Sequence, residues 1–358
     1  MGSTERFRLK LFNREGFLPF TRSGEPAGLR LPIRTFLSLA LFTALALAQT
    51  PPAQTPPAPA PSGATAPAAE QGGVALFSSD ARYVPLNVTV TDKNDKLVTN
   101  LTESAFQVLE NGVPQPIKIF KHEDVPVSMG LVIDNSGSMR LRRAGVVAAT
   151  LTLVKDSNPD DESFVVNFND EPFLDQDFTS DISLLQKGLE RIDAKGGTAM
   201  RDAIRVSIDH LHDKAKHDKK VIVVVTDGND NASMVTLESL TKLAQQDGTL
   251  IYAIGLLADE DKSEANKAKK ALKTLVDATG GLVFYPKDVS EVEPIAHEVA
   301  HDIRNQYSIW YGPLNDKLDN TYRQIKVNVK APGNPIARTR AGYYATESRR
   351  PNASKNPE

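Results

Sequence analysis

The middle of the chain alternates between short apolar runs and longer segments with helical periodicity. Several of the runs are apolar at consecutive positions, which is typical of parallel strands that are covered on both faces. Strands alternating with helices predict a doubly wound α/β fold with a mostly parallel sheet. The predicted strands cover residues 130–133, 164–168, 221–226, 250–256 and 282–285, and the predicted helices cover 140–155, 182–192, 200–216, 237–246, 265–278 and 289–304.

The segments on either side of this region alternate strictly between apolar and polar residues, as over 84–90 and 324–330. This pattern predicts half-buried β-strands. A doubly wound domain begins its first strand, and ends its last helix, at the edge opposite the carboxyl ends of its strands, so the two flanks emerge close together. We therefore expect the N-terminal segment (74–126) and the C-terminal segment (305–346) to pair into one small β-sandwich, with the α/β domain (127–304) inserted between them.

The first 48 residues have the pattern of a signal peptide. Basic residues precede an apolar stretch over 36–47, and Ala46-Leu47-Ala48 supplies the small-x-small pattern for cleavage after Ala48. A membrane-spanning helix needs about 20 apolar residues, and this stretch is shorter. The alternative to a cleaved signal peptide is an uncleaved membrane anchor. Residues 49–73, rich in Pro and Ala, predict an extended linker, and residues 347–358 predict a polar tail. The protein is thus expected to be exported, either to the periplasm or out of the cell.

The overall composition excludes several kinds of partner and site. The 358 residues include no cysteine, which rules out disulfides and thiolate metal sites. The formal net charge is −3 and there is no basic run, so we expect no nucleic-acid partner. No glycine-rich phosphate loop opens a helix, so nucleotide binding is not expected either.

Oxygen-bearing side chains follow two of the predicted strands. The run Asp134-Asn135-Ser136-Gly137-Ser138 comes directly after the first apolar strand, and Asp227 follows the strand over 221–226. Thr198 closes the turn Gly196-Gly197-Thr198 between them. Ligands of such sheets bind beyond the carboxyl ends of the strands, and a carboxylate with hydroxyls suits a small divalent cation such as Mg²⁺. The structural alternative is that Ser136 or Ser138 merely caps the following helix.

Asp134, Ser136, Ser138, Thr198 and Asp227 match, in order and context, the metal-ion-dependent adhesion site (MIDAS) of von Willebrand factor type A domains. The chain thus resembles this family over about half its length, and the β-rich flanks resemble a bacterial group within it. The resemblance implies direct metal contacts from Ser136 and Ser138, with Thr198 as a candidate third. It also implies that Asp134 and Asp227 act mainly through bound water, and that the open coordination position accepts an acidic side chain of a partner protein.

These features predict a non-enzymatic adhesion or protein-binding module. Its expected cofactor is Mg²⁺, with Mn²⁺ or Ca²⁺ as alternatives, and its expected partner is a protein that supplies an Asp or Glu carboxylate. The alternative is a structural envelope protein whose metal only stabilises the fold. A membrane is expected as a partner only if the N-terminal segment stays uncleaved.

A competing motif lies in the last predicted helix, where His297, Glu298 and His301 match the His-Glu-x-x-His signature of zinc proteases. The opposite face of this helix is apolar, so both histidines are predicted to face solvent. We therefore rank a secreted zinc hydrolase below the binding module. Asp202, in the first turn after Thr198, is predicted to support the N-terminus of its own helix, with a role behind the metal ligands as the alternative.

Overall fold

The computed structural model describes residues 83–122, 124–190 and 194–347. The predicted signal peptide and linker, and nearly all of the predicted tail, lie outside these residues. Among the helices described, we find none with the length and hydrophobicity that a membrane crossing requires.

The described residues form fourteen β-strands and six α-helices. The strands are Val84–Thr91 (β1), Phe106–Glu110 (β2), Val113–Gln115 (β3), Ile117–Lys121 (β4), Val127–Asp134 (β5), Glu162–Phe168 (β6), Pro172–Thr179 (β7), Lys219–Thr226 (β8), Leu250–Gly255 (β9), Val283–Phe284 (β10), Tyr307–Tyr311 (β11), Tyr322–Val329 (β12), Ile336–Arg338 (β13) and Gly342–Tyr344 (β14). The helices are Arg143–Asp156 (α1), Ile182–Glu190 (α2), Met200–Lys214 (α3), Leu237–Asp247 (α4), Lys262–Thr279 (α5) and Val292–Arg304 (α6).

The central sheet has the strand order β10-β9-β8-β5-β6-β7. Its first five strands run parallel, and β5, β6 and β9 are buried at every residue. Side chains from α1, α2 and α6 pack on one face, whereas those from α3, α4 and α5 pack on the other. The prediction of a doubly wound, mostly parallel sheet is confirmed.

The strands that follow β5 are added to the sheet on both sides of β5. The chain first moves through α1 to β6, and it later returns through α3 to β8 on the other side of β5. This reversal opens a crevice beyond the carboxyl ends of β5 and β8, which is where such sheets bind ligands.

Two four-stranded sheets combine strands from both ends of the chain. Their orders are β13-β1-β11-β4 and β14-β12-β2-β3, and β1 pairs antiparallel with β11 just as β2 pairs with β12. Alternate residues of these strands point into one shared core that includes Val88, Val108, Tyr307 and Val327. The predicted pairing of the flanks into a β-sandwich around an inserted α/β domain is therefore confirmed.

Two elements of the α/β domain differ from the sequence prediction. Strand β7 was not predicted, and it pairs antiparallel with β6 at the edge of the central sheet. The helix predicted from residue 140 is preceded by a short 3-10 helix, Gly137–Leu141, and α1 itself begins at Arg143. This 3-10 turn carries Ser138 at the carboxyl end of β5.

Candidate metal centre

Two buried carboxylates lie beyond adjacent parallel strands. Asp134 is the last residue of β5, and Asp227 directly follows β8. The two strands are in register, with Ile133 opposite Val225, so both carboxylates lie at the same edge of the sheet. Each residue is fully buried in the folded chain.

The carboxylate of Asp134 is held by two donors. The backbone N–H of Ser136 donates to Oδ1 at 2.7 Å, and the hydroxyl of Thr226 donates to Oδ2 at 2.6 Å. Burial, together with a smaller contribution from the negative charge of Asp227, outweighs these hydrogen bonds and raises the pKa of Asp134 to about 6. In the metal-free protein this carboxylate is therefore costly to ionise, and a nearby cation would relieve that cost.

The two serine hydroxyls form a chain of contacts that ends on Asp227. Ser136 Oγ and Ser138 Oγ are 3.1 Å apart, and Ser138 Oγ donates to Asp227 Oδ1 at 2.8 Å. Ser136 stands at the start of the 3-10 helix but makes no side-chain cap hydrogen bond. The capping alternative is thus not supported for Ser136, and the hydroxyl of Ser138 is directed to the second carboxylate.

Thr198 lies against the loop that follows β8. Its backbone N–H donates to Asn231 Oδ1 at 2.9 Å, and its carbonyl accepts from the N–H of Asn231 at 3.1 Å. A Cβ placed on Gly228 would be 3.8 Å from Thr198 Oγ1. The buried Thr198 hydroxyl is therefore close to the residue after Asp227.

Gly196 allows the loop before α3 to reach the serine turn. Its φ of +76° is in the left-handed region, and a Cβ there would lie 2.1 Å from Asp170 Oδ2. The carbonyl of Gly196 accepts from the N–H of Gly137 at 3.3 Å, while Gly197 donates to Asp170 Oδ1 at 2.7 Å. Only glycine suits this backbone, so the Gly-Gly-Thr signal in the sequence has a steric basis.

The spacing of these oxygens suits a small divalent cation. Neighbouring oxygens around an octahedral Mg²⁺ with bonds of about 2.0–2.1 Å are about 2.9 Å apart, whereas the longer bonds of Ca²⁺ need a wider spacing. The 3.1 Å separation of the serine hydroxyls and the 2.8 Å separation of Ser138 from Asp227 bracket the Mg²⁺ value. These oxygens are thus close enough together to share a small divalent cation such as Mg²⁺.

Two residues at this edge of the sheet were not predicted from the sequence to contact the site. Thr226 donates to Asp134, and the guanidinium of Arg142 pairs with Asp227 Oδ2 at 2.6 Å. Thr226 could have been found from its place directly before Asp227, but nothing in the sequence relates Arg142 to a residue 85 positions away.

Asp202 lies in the first turn of α3, as predicted, and it also contacts the loop that follows β8. Its two carboxylate oxygens accept from the N–H groups of Met234 and Val235, each at 2.9 Å. Those residues belong to the loop between β8 and α4. Asp202 thus fixes that loop against α3 instead of supporting only its own helix.

A family model of the von Willebrand factor type A domain matches residues 129–229. The match begins in β5 and ends two residues after Asp227, so it spans all five predicted metal ligands. The chain contains a von Willebrand factor type A domain. In the structure this A domain is the doubly wound unit between the two halves of the β-sandwich.

The chain also resembles curated proteins over part of its own length and part of theirs. Calcium-activated chloride channel regulator 1 from Mus musculus is 30% identical over 167 residues, which are 44% of this chain and 17% of that protein. An uncharacterized protein from Borreliella burgdorferi is 26% identical over 156 residues, 42% of this chain and 45% of that protein. The chain therefore spans less than half the length of both relatives.

Solved structures of similar fold include other A-domain proteins. A von Willebrand factor type A protein from Catenulispora acidiphila is 14% identical with a TM-score of 0.45, covering 76% of each chain. The A domain of the type V pili tip protein Mfa5 from Porphyromonas gingivalis is 15% identical with a TM-score of 0.41, covering 50% of this chain and 97% of that one.

The His-Glu-x-x-His motif lies on the A domain's last helix, away from the carboxyl ends of the strands. His297 and His301 are exposed, as predicted, and the His297 ring contacts the carboxylate of Asp156. The motif lines a cleft of about 940 Å³ that also contains Lys155 and Arg304. Within residues 83–122, 124–190 and 194–347, no three His, Cys, Asp or Glu side chains are grouped closely enough to hold a metal ion. The absence of enzymatic activity stays a prediction.

Proposed function

We propose that this protein is an exported, non-enzymatic binding module whose A domain holds Mg²⁺ and captures an acidic side chain of a partner protein. The observation that carries the proposal is the contact chain from Ser136 through Ser138 to Asp227 at the carboxyl ends of β5 and β8. A domains are, in general, protein-interaction modules, and that broader role agrees with the family match.

The neutral and the charged residues would have different roles at the metal site. Ser136, Ser138 and Thr198 would offer neutral oxygens to the cation, while Asp134 and Asp227 would balance its charge from buried positions. Because neutral hydroxyls neutralise a cation poorly, the bound metal would supply an electrophilic position for an incoming carboxylate. Hydroxyl ligands thus favour recognition of an acid over the tightest metal binding.

The surface around the site offers apolar anchors for a protein partner. Leu141 is 94% exposed on the 3-10 turn that carries Ser138, and Met234 is 92% exposed on the loop that follows Asp227. The backbone of Met234 is tied to Asp202, so its side chain is presented from a fixed loop. Fully exposed apolar side chains beside a polar site are typical of docking surfaces, where they become buried on binding.

The metal site is tested with Thr198→Val, which removes one hydroxyl and keeps the side-chain volume. Because Thr198 is proposed to contact the cation, Mg²⁺ affinity measured by calorimetry should fall by at least about tenfold. Thr150→Val is the matched control, since Thr150 is a buried threonine in α1 whose hydroxyl donates to Val146 within the helix. Equal Mg²⁺ affinity in Thr198→Val, Ser136→Ala and the parent would exclude this metal site.

The partner chemistry is tested with random peptides displayed on phage and selected on the purified protein. Selection in Mg²⁺ should enrich peptides that contain Asp or Glu, and selection in EDTA or on Thr198→Val should not. Enrichment that is the same with and without Mg²⁺ would overturn the proposed capture of an acidic side chain.

A fold-stabilising metal is the second candidate function, because Asp134 and Asp227 are both fully buried and a cation would offset their charge. Chelation separates the two roles. If EDTA lowers the melting temperature but leaves peptide binding intact, the metal is structural only. If EDTA abolishes peptide binding, the metal takes part in recognition.

Export is proposed from the N-terminal pattern alone. N-terminal sequencing of the protein from its native host should give Gln49 as the first residue. A mature chain that retains residues before Ala48 would favour the membrane-anchored alternative.

A further inference from the structure

Arg142 places a fixed positive charge beside the candidate metal centre. It follows the 3-10 turn that carries Ser138, and its Nη1 pairs with Asp227 Oδ2 at 2.6 Å. Its Nη2 pairs with the carboxylate of Asp259 in the loop after β9. The side chain of Asp227 is fully buried, that of Arg142 is 22% exposed and that of Asp259 is 81% exposed. The guanidinium thus bridges a buried carboxylate and a solvated one.

Both oxygens of Asp227 already have a donor within the chain. Oδ1 accepts from the hydroxyl of Ser138 at 2.8 Å, and Oδ2 accepts from Arg142. A cation held by Ser138 and Asp227 would need the Ser138 hydroxyl to turn its proton away, and it would lie close to the guanidinium charge. The protein's own cation and an added one therefore compete for the negative charge of the same carboxylate.

We propose that Arg142 is an internal counter-cation of the metal site. It neutralises Asp227 in the metal-free protein, and by doing so it lowers the affinity of the site for a divalent cation. Asp259 pairs with the other side of the guanidinium. Arg142 therefore keeps an ionic partner when a bound cation weakens its pair with Asp227. This inference rests on the proposed metal binding and adds a residue that sets its strength.

The proposal separates stability from affinity. Removal of the Arg142 charge leaves Asp227 as a buried carboxylate without an ionic partner, so the metal-free protein should become less stable. The same removal takes away repulsion between two cations, so Mg²⁺ should bind more tightly. A residue that only supported the local fold would lower both quantities together.

The test compares the parent with Arg142→Gln and Arg142→Lys. In Arg142→Gln, Mg²⁺ affinity measured by calorimetry at low salt should rise by about tenfold, because a unit charge near the cation is removed. Its melting temperature in EDTA should fall below that of the parent. Arg142→Lys keeps the charge, so its Mg²⁺ affinity should stay near the parent value.

Arg140→Gln is the matched control. Arg140 lies on the same 3-10 turn and is exposed, but its guanidinium donates to the carbonyl of Ala194 and makes no ion pair with Asp227. Its replacement should leave Mg²⁺ affinity within about twofold of the parent, since screening is strong for exposed charges.

A second measurement uses the parent protein, so it does not depend on whether a variant folds. The side-chain Nε–H resonance of Arg142 should shift in ¹⁵N NMR spectra as Mg²⁺ is added, and that of Arg140 should not. The inference would be overturned if Arg142→Gln bound Mg²⁺ no more tightly than the parent, or if the Arg142 resonance did not shift at saturating Mg²⁺. Neither result would contradict metal binding itself. Absence of Mg²⁺ and Mn²⁺ binding in every variant would overturn the proposed function, and this inference with it.

Discussion

At the scale of single residues, Asp134 couples the stability of the metal-free protein to pH. Burial raises its pKa from 3.8 to about 6, so between these values the folded state holds a proton that the unfolded state lacks. The resulting stabilisation is fully present below about pH 4 and is lost as the pH rises through about 6. Relative to Asp134→Asn, the parent should lose about 2 kcal/mol of unfolding free energy between about pH 4 and about pH 7. Urea unfolding in EDTA measures this difference, and a difference that does not vary with pH would contradict it.

Mg²⁺ should act against the same effect. A cation beside Asp134 favours the ionised carboxylate, so excess Mg²⁺ should flatten the pH dependence of the parent. Asp134→Asn serves as the control because its side chain does not titrate. An unchanged pH dependence in saturating Mg²⁺ would mean that the bound cation does not act on Asp134.

The metal-site residues differ in how far sequence could identify them. Asp134 and Asp227 could be placed from the ends of apolar strands, because strand ends follow from hydrophobic patterning. Arg142 could not be placed, because its contact with Asp227 depends on the path of the 3-10 turn and on a long, flexible side chain. The proposed ligand role of these residues is tested by the Mg²⁺ affinities of Thr198→Val and Ser136→Ala.

At the scale of elements, the close approach of α5, β9 and β10 depends on Gly281. A Cβ at this position would lie 2.0 Å from the carbonyl oxygen of Ile251 in β9, and a backbone atom there cannot move aside without disturbing the sheet. Gly281→Ala should therefore lower the unfolding free energy by at least about 2 kcal/mol in urea unfolding. Gly312→Ala is the matched control, because its Cβ would meet only the flexible side chain of Lys118, at 3.5 Å. Equal stability of the two variants would contradict this packing argument.

The elements themselves were predictable where their burial is regular. Consecutive apolar residues identify β5, β6, β8 and β9 because these strands are covered on both faces. Strand β7 carries exposed and half-buried residues in no regular order, including Asp175 and Asp177. This segment forms a strand because it pairs with the free edge of β6. The local sequence of β7 does not show that such an edge will be available.

At the scale of the whole molecule, a buried ion pair joins the β-sandwich to the A domain. Arg338 in β13 donates to both oxygens of Asp302 in α6, at 2.8 and 2.9 Å, and the hydroxyl of Tyr252 in β9 donates to the same carboxylate at 2.5 Å. The Asp302 side chain is only 4% exposed. Three elements that are distant in sequence thus meet at one carboxylate.

Loss of Arg338 should destabilise the protein strongly. Arg338→Met removes both hydrogen bonds and the ion pair that Arg338 makes with the buried Asp302 carboxylate, and it leaves only the Tyr252 hydroxyl and the more distant charge of Lys219 to stabilise it, which should cost about 3 kcal/mol of unfolding free energy. Addition of Asp302→Asn removes the uncompensated charge, so the double variant should be more stable than Arg338→Met alone. Lys273→Met, which breaks an exposed pair with Asp277, should have little effect. Urea unfolding measures all four proteins, and a double variant no more stable than Arg338→Met would contradict the role of charge.

Hydrophobic patterning along the chain is enough to place the helices and most of the strands of the α/β domain, its insertion between β-rich flanks, and the edge of the sheet at which Asp134 and Asp227 lie. These features follow from hydrophobic periodicity and from the common direction of parallel strands, and both can be inferred from local sequence. The folded chain alone reveals that Thr226 and Arg142 contact the two carboxylates, that Asp202 binds the loop around Met234, and that Arg338 pairs with Asp302. Each of these contacts joins side chains through loop paths and neighbouring elements, and sequence spacing does not encode such distances.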